Sequence, residues 1–296
     1  MKVIELDRSI NTGINGYISL INLYNQIVAS EEKEIVIDFR NTNWFEANLC
    51  SVLGAIIELS KENGYSILLD RMTFAIEKIL KRNGFLAPVN YLYTDFSRET
   101  IVTFQQFKPN EDTSFNEYIK RELLSKADFP SHSYLLGKKI SESIFEVFEN
   151  ARTHGKCALI HTCGQYYPQK KPARLDITVV DVGMTIHKNV NEYHSPYRIF
   201  TASDSIEWAI QYGNTTKKDR TGGLGLGLIL EFIELNKGKI QIVSSSGYWE
   251  YQNGKSEKKE LYCKFPGTIV NIEFNFDDSA FYSLKDEPKL SLDDIF

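Results

Sequence analysis

Three polar side chains recur at four-residue steps in one segment of the chain: Glu146, Asn150 and His154. On a helix this spacing places them along one line of the surface. A carboxylate one turn from a carboxamide suits phosphoryl transfer, because the carboxylate orients or deprotonates the attacking group while the amide oxygen holds a magnesium ion. Glutamate and asparagine are also common on solvated helix surfaces, so this segment alone leaves both interpretations open.

Two further segments place polar residues beside apolar runs. Asp181 and Gly183 follow the apolar run 175–180. A carboxylate at a strand end can accept a hydrogen bond from an adenine amino group, and a neighbouring glycine lets the backbone approach the ring. A plain turn has the same composition. Thr268 follows Gly267 and could reach a base through water, although Gly-Thr pairs are typical of turns.

A cluster of glycines leads directly into an apolar helix pattern at 228–233. Glycine costs on the order of 1 kcal/mol inside a helix, so the cluster indicates a backbone that approaches a ligand closely. The N–H groups of such a helix start can cradle a triphosphate, and Lys217 lies just upstream. The spacing is neither the Walker nor the dinucleotide pattern. A flexible surface loop is the alternative, which the interleaved leucines disfavour. The segment comprises Gly222, Gly223, Leu224, Gly225, Leu226 and Gly227.

Apolar periodicity predicts the elements that position these residues. A helix over 131–154 carries a core stripe at spacings of three and four. Strands are predicted at 158–162, 175–180, 239–243 and 268–276, and helices at 205–212 and 224–236. The stripe comprises Leu136, Ile140, Ile144, Val147 and Ala151.

The first hundred residues alternate strand and helix patterns, with strands at 34–39 and 66–70 and helices at 49–63 and 73–83. This alternation predicts an α/β domain with a partly parallel sheet. We divide the chain into an α/β domain at 1–104, a linker with a short helix at 105–130, a second α/β domain at 131–276 and an acidic tail at 277–296. For the tail we favour a disordered terminus over a short docking motif.

Composition excludes several classes of protein. The chain of 296 residues is 42% hydrophobic and 25% charged, as in soluble globular proteins. It lacks an apolar run that could span a bilayer and lacks a signal-peptide pattern, so we expect a cytoplasmic protein without membrane association. Four cysteines without a CxxC pair suggest neither disulfides nor zinc. A net charge of −5 gives no basic footprint, so nucleic acid is not the expected partner.

In their order and spacing, these segments resemble the N, G1, G2 and G3 boxes of the GHKL superfamily of ATP-binding domains. The resemblance covers 131–276 and implies an α/β sandwich with a mixed sheet, in which ATP lies between helices and the sheet. It implies that Glu146 is the catalytic carboxylate, Asn150 the magnesium ligand and Asp181, beside Gly183, the adenine contact. It also implies a phosphate lid at Gly223, Gly225 and Gly227 and a final base contact at Thr268.

The first box, with His154 and the following glycine, is most similar to the anti-sigma-factor serine kinases. Two departures from the superfamily pattern stand out. Thr185 occupies the position of the second glycine of the DxGxG motif, and no phosphoacceptor histidine precedes the domain, so histidine autophosphorylation is not expected. All histidines lie at or after the start of the domain: His132, His154, His161, His187 and His194.

The N-terminal domain resembles, more weakly, the STAS fold of anti-sigma-factor antagonists, through the strand ending at Phe39 and the helix beginning near 47–49. The position of the antagonists' phosphoacceptor serine matches Ala47 and Asn48, which lack a hydroxyl, and Ser51 lies one turn later. We therefore interpret this domain as a STAS-like module for protein contacts that has lost the acceptor.

The resemblance leads to one main hypothesis and two alternatives. The main hypothesis is a regulatory ATPase, in which Mg-ATP closes a lid at 187–227 and slow hydrolysis reopens it for a protein partner. The first alternative is a serine/threonine kinase acting on a separate protein, and the second is a nucleotide-sensing module without hydrolysis. A homodimer is expected by analogy with the family.

Overall fold

The fold is given by a computed structural model, which describes residues 1–86, 100–125, 131–211, 213–216 and 225–275, with 225–228 described for the backbone alone. The predicted acidic tail and Lys217, Gly222, Gly223 and Leu224 lie outside the described residues. Within the described part of the chain, no helix is long and apolar enough to cross a membrane.

The N-terminal part is built on a parallel sheet in the order β1-β3-β5, formed by Lys2–Glu5, Glu34–Asp38 and Ser66–Asp70. Helices α1 (Ile14–Val28) and α2 (Cys50–Glu62) make the crossovers between these strands, and α3 (Phe74–Arg82) follows β5. The short strands β2 (Ser9–Ile10) and β4 (Trp44–Phe45) form a separate parallel pair. A single 3-10 turn, Ala47–Leu49, precedes α2. The predicted strand–helix alternation is confirmed here.

A five-stranded sheet in the order β6-β7-β8-β10-β9 forms the second part. Its strands are Ile101–Phe107, Ile160–Tyr167, Arg174–Val182, Lys255–Asn275 and Lys239–Gln252. Every described pairing is antiparallel, which corrects the mixed sheet that the sequence resemblance implies. Two of the four pairings join consecutive strands through short turns, a connection that only antiparallel strands permit. Strand β6 crosses the predicted division after residue 104 and belongs to this sheet.

The remaining described helices lie in this second part of the chain. Helix α4 (Asp112–Ile119) continues into a π-helical turn at Lys120–Leu124, within the segment 105–130 where the sequence predicts a short helix. Helices α6, α7 and α8 span Ile186–His194, Ala202–Ile210 and Gly225–Asn236.

Helix α5 (Tyr134–Asn150) is the long helix predicted at 131–154, and all five residues of its apolar stripe are buried. Its first turn is capped by Ser133, whose hydroxyl accepts a hydrogen bond from the Leu136 N–H (3.0 Å). The helix does not continue as an α-helix to residue 154, because Ala151–Gly155 form a π-helical turn.

The five-stranded sheet is the central layer of the molecule. On one face, Ile177 and Val179 of β8 pack in a common core with α5 and α8. On the other face, Val180 and Ile269 pack with Leu53 of α2 and Tyr17 of α1. The N-terminal helices therefore cover the sheet face opposite α5. Each fully buried aliphatic side chain in such a contact contributes about 1.5–3 kcal/mol to stability.

Candidate functional site

A pocket opens between α5, α6, α7 and the face of the five-stranded sheet that α5 covers. Its empty space, including the open mouth, is about 1040 Å³. Five residues predicted from sequence line this one pocket, although they come from three distant segments: Glu146, Asn150, His154, Asp181 and Thr268. Apolar side chains from the sheet, among them Val179, Ile242 and Val270, form part of the lining. An apolar cavity with a few convergent polar groups is the usual form of a small-molecule site.

The π-helical turn at Ala151–Gly155 explains how three residues at four-residue steps share the pocket. In a straight α-helix, steps of four drift around the axis because a turn takes 3.6 residues. A π turn is wider, with bonds from residue i to i+5, so it reverses this drift between Asn150 and His154. Gly155 ends the turn and leaves Lys156 in a left-handed conformation with φ of 51°.

Asp181 is the most strongly perturbed polar group in the pocket. It lies near the end of β8, between Ile160 of β7 and Thr268 of β10, and is 5% exposed. Burial raises the pKa of this carboxyl well above its usual range, and a hydrogen bond from the Thr268 N–H acts in the opposite direction. Oδ1 has no hydrogen-bond partner among the described residues. Burial of this acceptor group costs free energy, and Asp181 lines the pocket, so the position favours a ligand that donates a hydrogen bond.

Three glycines pack closely around Asp181. A Cβ atom on Gly155 would lie 2.8 Å from Asp181 Oδ1, and one on Gly267 would lie 2.0 Å from the Asp181 carbonyl oxygen. A Cβ on Gly183 would lie 2.1 Å from the carbonyl oxygen of Gly155, which also accepts the Met184 N–H at 2.6 Å. The glycines of three predicted boxes therefore meet at one point, where any side chain would displace the backbone.

Thr268 is hydrogen-bonded to Ser244, a residue that was not predicted from the sequence. Its Oγ1 lies 3.0 Å from Ser244 Oγ of β9. Ser244 also donates to the Gly267 carbonyl (3.0 Å) and accepts the N–H of Ile186, the first residue of α6 (2.9 Å). Ser244 links β9, β10 and α6 at the edge of the pocket. Only the pairing of β9 with β10 brings it there, so no sequence pattern marks it.

The pocket residues of α6, of α7 and of the segment after α7 were also not predicted from the sequence. Asn189 of α6 donates to the His154 carbonyl (3.2 Å), and Thr216 Oγ1 lies 3.2 Å from His154 Nδ1. Trp208 of α7 lines the pocket and is supported from behind by the rings of His194 (4.9 Å between centroids) and Phe200 (6.4 Å). The aromatic residues of 193–208 are spread over two helices and a loop, so no regular spacing identifies them in the sequence.

The glycine cluster is described only from Gly225 onward. Gly225, Leu226 and Gly227 form the first turn of α8, as predicted for a cluster that leads into a helix. Lys217, Gly222, Gly223 and Leu224, the other predicted phosphate contacts, lie outside the described residues.

The described residues contain no group of three or more histidine, cysteine or carboxylate side chains that could hold a metal. A magnesium ion bound through nucleotide phosphates needs few protein ligands, because it keeps several waters. The Asn150 amide on the pocket wall fits that requirement as a single oxygen ligand.

The positions that match the antagonists' phosphoacceptor are enclosed. Ala47, Asn48 and Ser51 are all fully buried against the sheet or within the N-terminal core. The Ser51 hydroxyl donates to the Asn48 carbonyl (2.7 Å). A phosphoryl donor could not reach any of them in this arrangement.

Comparison with known proteins adds no assignment: no protein-family model matches the chain, and no curated protein matches it.

Proposed function

We propose that this pocket binds an adenine nucleotide, and that the protein uses Mg-ATP binding and slow hydrolysis as a switch for a protein partner. The observation that carries the proposal is Asp181, a buried carboxyl in the same pocket as Glu146 and Asn150, with one oxygen that lacks a partner within the described part of the chain. This combination offers a base contact and a phosphoryl-transfer pair within one cavity.

Asp181 supports adenine over guanine. The exocyclic amino group of adenine donates a hydrogen bond, which the Asp181 carboxyl group accepts, whereas guanine carries a carbonyl oxygen at that position. Two acceptors would then face each other in a buried site, which costs about 1–3 kcal/mol. Thr268 stands directly across the ladder from Asp181 and provides a second polar group for the base.

Glu146 and Asn150 support chemistry at the phosphates. They lie one turn apart on α5 and line the pocket, at its α5 wall. Asn150 contributes an oxygen ligand for magnesium, which when bound neutralises charge on the phosphates. Glu146 orients the attacking water and accepts its proton.

Contacts of α7 limit which part of the predicted lid can close. The Ser203 N–H donates to Glu260 of β10 (2.6 Å), and Lys258 forms ion pairs with Asp204 (2.8 Å) and Glu207. These contacts fix α7 to the β9–β10 hairpin. We therefore propose that the α7 part of the predicted lid, Ala202–Ile210, keeps its place when nucleotide binds.

The test follows the label from γ-labelled ATP with magnesium in wild type, Glu146→Ala and Asn150→Ala. We expect wild type to release free phosphate and both variants to lose at least tenfold in rate, because each removes a group that acts on the phosphates. Glu142→Ala is the matched control, since Glu142 lies one turn earlier on α5, is exposed and pairs with Lys139. Equal rates in all four proteins would contradict the assigned roles.

The same experiment separates the alternatives. Label that accumulates on an added protein would favour the kinase. Nucleotide binding without turnover would favour the sensing module. Label on this chain at Ser51 would contradict the enclosed position of that hydroxyl. Failure of wild type to bind ATP in a titration would overturn the proposal.

A further inference from the structure

Two strands carry the pocket on one face and the N-terminal layer on the other. Along β8, Val179 and Asp181 line the pocket, whereas Thr178 and Val180 face α2. Strand β10 follows the same alternation, because Thr268 and Val270 line the pocket and Asn271 faces the N-terminal layer. Any shift of β8 against β10 therefore moves side chains on both faces of the sheet.

Asn48 makes one of the polar contacts between the N-terminal layer and these strands, beside the ion pair of Glu46 with Arg174. It is fully buried in the turn before α2, and its Nδ2 donates to Thr178 Oγ1 (3.0 Å) and Asn271 Oδ1 (3.2 Å). Tyr167 of β7 donates to Asn48 Oδ1 (3.3 Å). The Asn48 amide thus bridges β8 and β10 and also contacts β7.

The contact lies close to the proposed base site along the ladder. Thr178 pairs with Asn271, and Asp181 pairs with Thr268 three residues further on, which is about 10 Å along the strand. Thr178 Oγ1 also donates to Asn271 Oδ1 (2.7 Å), so the two sides of the ladder are joined by side chains as well as by backbone. Asn48 of the N-terminal layer bonds to both of these side chains, so the three side chains are hydrogen-bonded to one another.

We propose that Asn48 is a positioning residue for the pocket across the sheet. Its bonds to Thr178 and Asn271 hold β8 and β10 in the arrangement that places Asp181 and Thr268 for the base. By linkage, a nucleotide in the pocket stabilises the seating of residues 46–48 to the same extent. The N-terminal layer thereby regulates nucleotide affinity, an inference that rests on the proposed adenine-nucleotide site.

The test compares Thr178→Val with Thr178→Ser. The valine keeps the shape of threonine but removes both hydroxyl bonds, and the serine keeps the hydroxyl. Neither change touches the pocket, because Thr178 faces the N-terminal layer. Calorimetric titration with magnesium and the non-hydrolysable analogue AMP-PNP should show affinity at least fivefold weaker for Thr178→Val and Asn48→Ala. Thr178→Ser should remain close to wild type.

A control on α2 removes a buried bond that does not reach the sheet. Ser60→Ala breaks the bond from the Ser60 hydroxyl to the Ile56 carbonyl (2.7 Å) within the helix, and nucleotide affinity should be unchanged. Hydrogen exchange of wild type gives a readout that a merely structural role would not move. AMP-PNP should slow the exchange of the amides of residues 46–52 by a larger factor than that of the amides of residues 54–60 on α2, because global stabilisation alone protects both.

The outcomes distinguish a failure of the proposed coupling from a failure of the proposed nucleotide site. AMP-PNP binding with equal affinity in wild type and Thr178→Val, or without added protection at 46–52, would overturn the coupling and leave the nucleotide site intact. Absence of binding by wild type would overturn the nucleotide site, and the coupling with it. The exchange measurement on wild type decides the matter even where a variant does not fold.

Discussion

At the scale of single residues, Asp181 combines three properties that a turn aspartate does not need. It is buried, its pKa is raised by that burial, and one of its oxygens has no partner among the described residues. Perturbed carboxyls in clefts are typical of functional sites. The proposed role of Asp181 can therefore be tested by replacing one of its two carboxyl oxygens with an amino group.

We expect Asp181→Asn to bind AMP-PNP about five- to hundredfold more weakly than wild type, because two donors that face each other in a buried site cost about 1–3 kcal/mol. The asparagine oxygen can keep the bond from the Thr268 N–H, and its amino group then faces the adenine amino group. Calorimetric titration measures the effect, with the exposed Asp204→Asn as control. Unchanged affinity would show that Asp181 does not contact the base.

Some residues of the site can be recognised in the sequence, and others cannot. Glu146, Asn150, Asp181 and Thr268 stand in local patterns whose order resembles that of a known superfamily, and this resemblance predicted that they share one pocket. Ser244, Asn189 and Trp208 act through neighbours that are remote in the chain. Their roles arise from strand pairing and helix packing, which leave no local pattern.

At the scale of elements, the β9–β10 hairpin differs most from its prediction. The sequence predicts strands at 239–243 and 268–276, whereas the strands extend over Lys239–Gln252 and Lys255–Asn275. Two register shifts between Glu260 and Thr268 interrupt the apolar alternation. The outer half of β10 also carries an exposed run at 255–260, which resembles a loop in composition. Helix α7 packs on this extension.

The packing of α7 on β9 depends on Gly247. A Cβ atom there would lie 2.6 Å from the carbonyl carbon of Ala202 and 2.8 Å from the Ser203 nitrogen, both backbone atoms. We expect Gly247→Ala to lower the free energy of unfolding by about 1–3 kcal/mol, the usual cost of overpacking. Urea denaturation measures this cost. Ser256→Ala, an exposed change on the same hairpin, should leave stability within about 0.5 kcal/mol. Equal stability of both variants would show that α7 can shift freely.

At the scale of the whole molecule, a buried charge cluster joins the N-terminal layer to the sheet. The Arg174 guanidinium contacts three carboxylates: Asp176 (2.9 Å), Glu273 (3.2 Å) and Glu46 (3.1 Å). Glu46 comes from the N-terminal layer and the other three residues from the sheet. Lys170 also pairs with Glu46 (3.7 Å) and Lys239 with Glu273 (3.6 Å), whereas the fully buried Asp176 has only Arg174 as a cation partner among the described residues.

The burial of Asp176 in this cluster predicts how stability depends on pH. Burial and the neighbouring Glu273 raise the pKa of Asp176 from 3.8 to about 7, and Arg174 opposes the shift. Between these values the folded protein binds more protons than the unfolded chain, so stability falls as pH rises from about 4 to about 7. Asp176→Asn cannot ionise and should flatten this part of the profile.

Urea denaturation at pH 5, 6, 7 and 8 measures the slope for wild type and for Asp176→Asn. Glu257→Gln, which removes an exposed carboxylate on β10, serves as the control and should keep the wild-type slope. A profile of Asp176→Asn parallel to that of wild type would exclude Asp176 as the group responsible.

The sequence by itself determined the α/β class, the strand–helix alternation of the first hundred residues and the apolar stripe of α5. It did so because periodicity and turn residues are local properties of the chain. It also predicted five polar residues that share a pocket. Only the tertiary structure decided that the five-stranded sheet is antiparallel, that β6 belongs to it and that the N-terminal helices cover its second face. Those features depend on contacts between residues that are distant in the chain, such as Ile101 with Gln165 within the sheet and Asn48 with Thr178 and Asn271 across it, which no local pattern encodes.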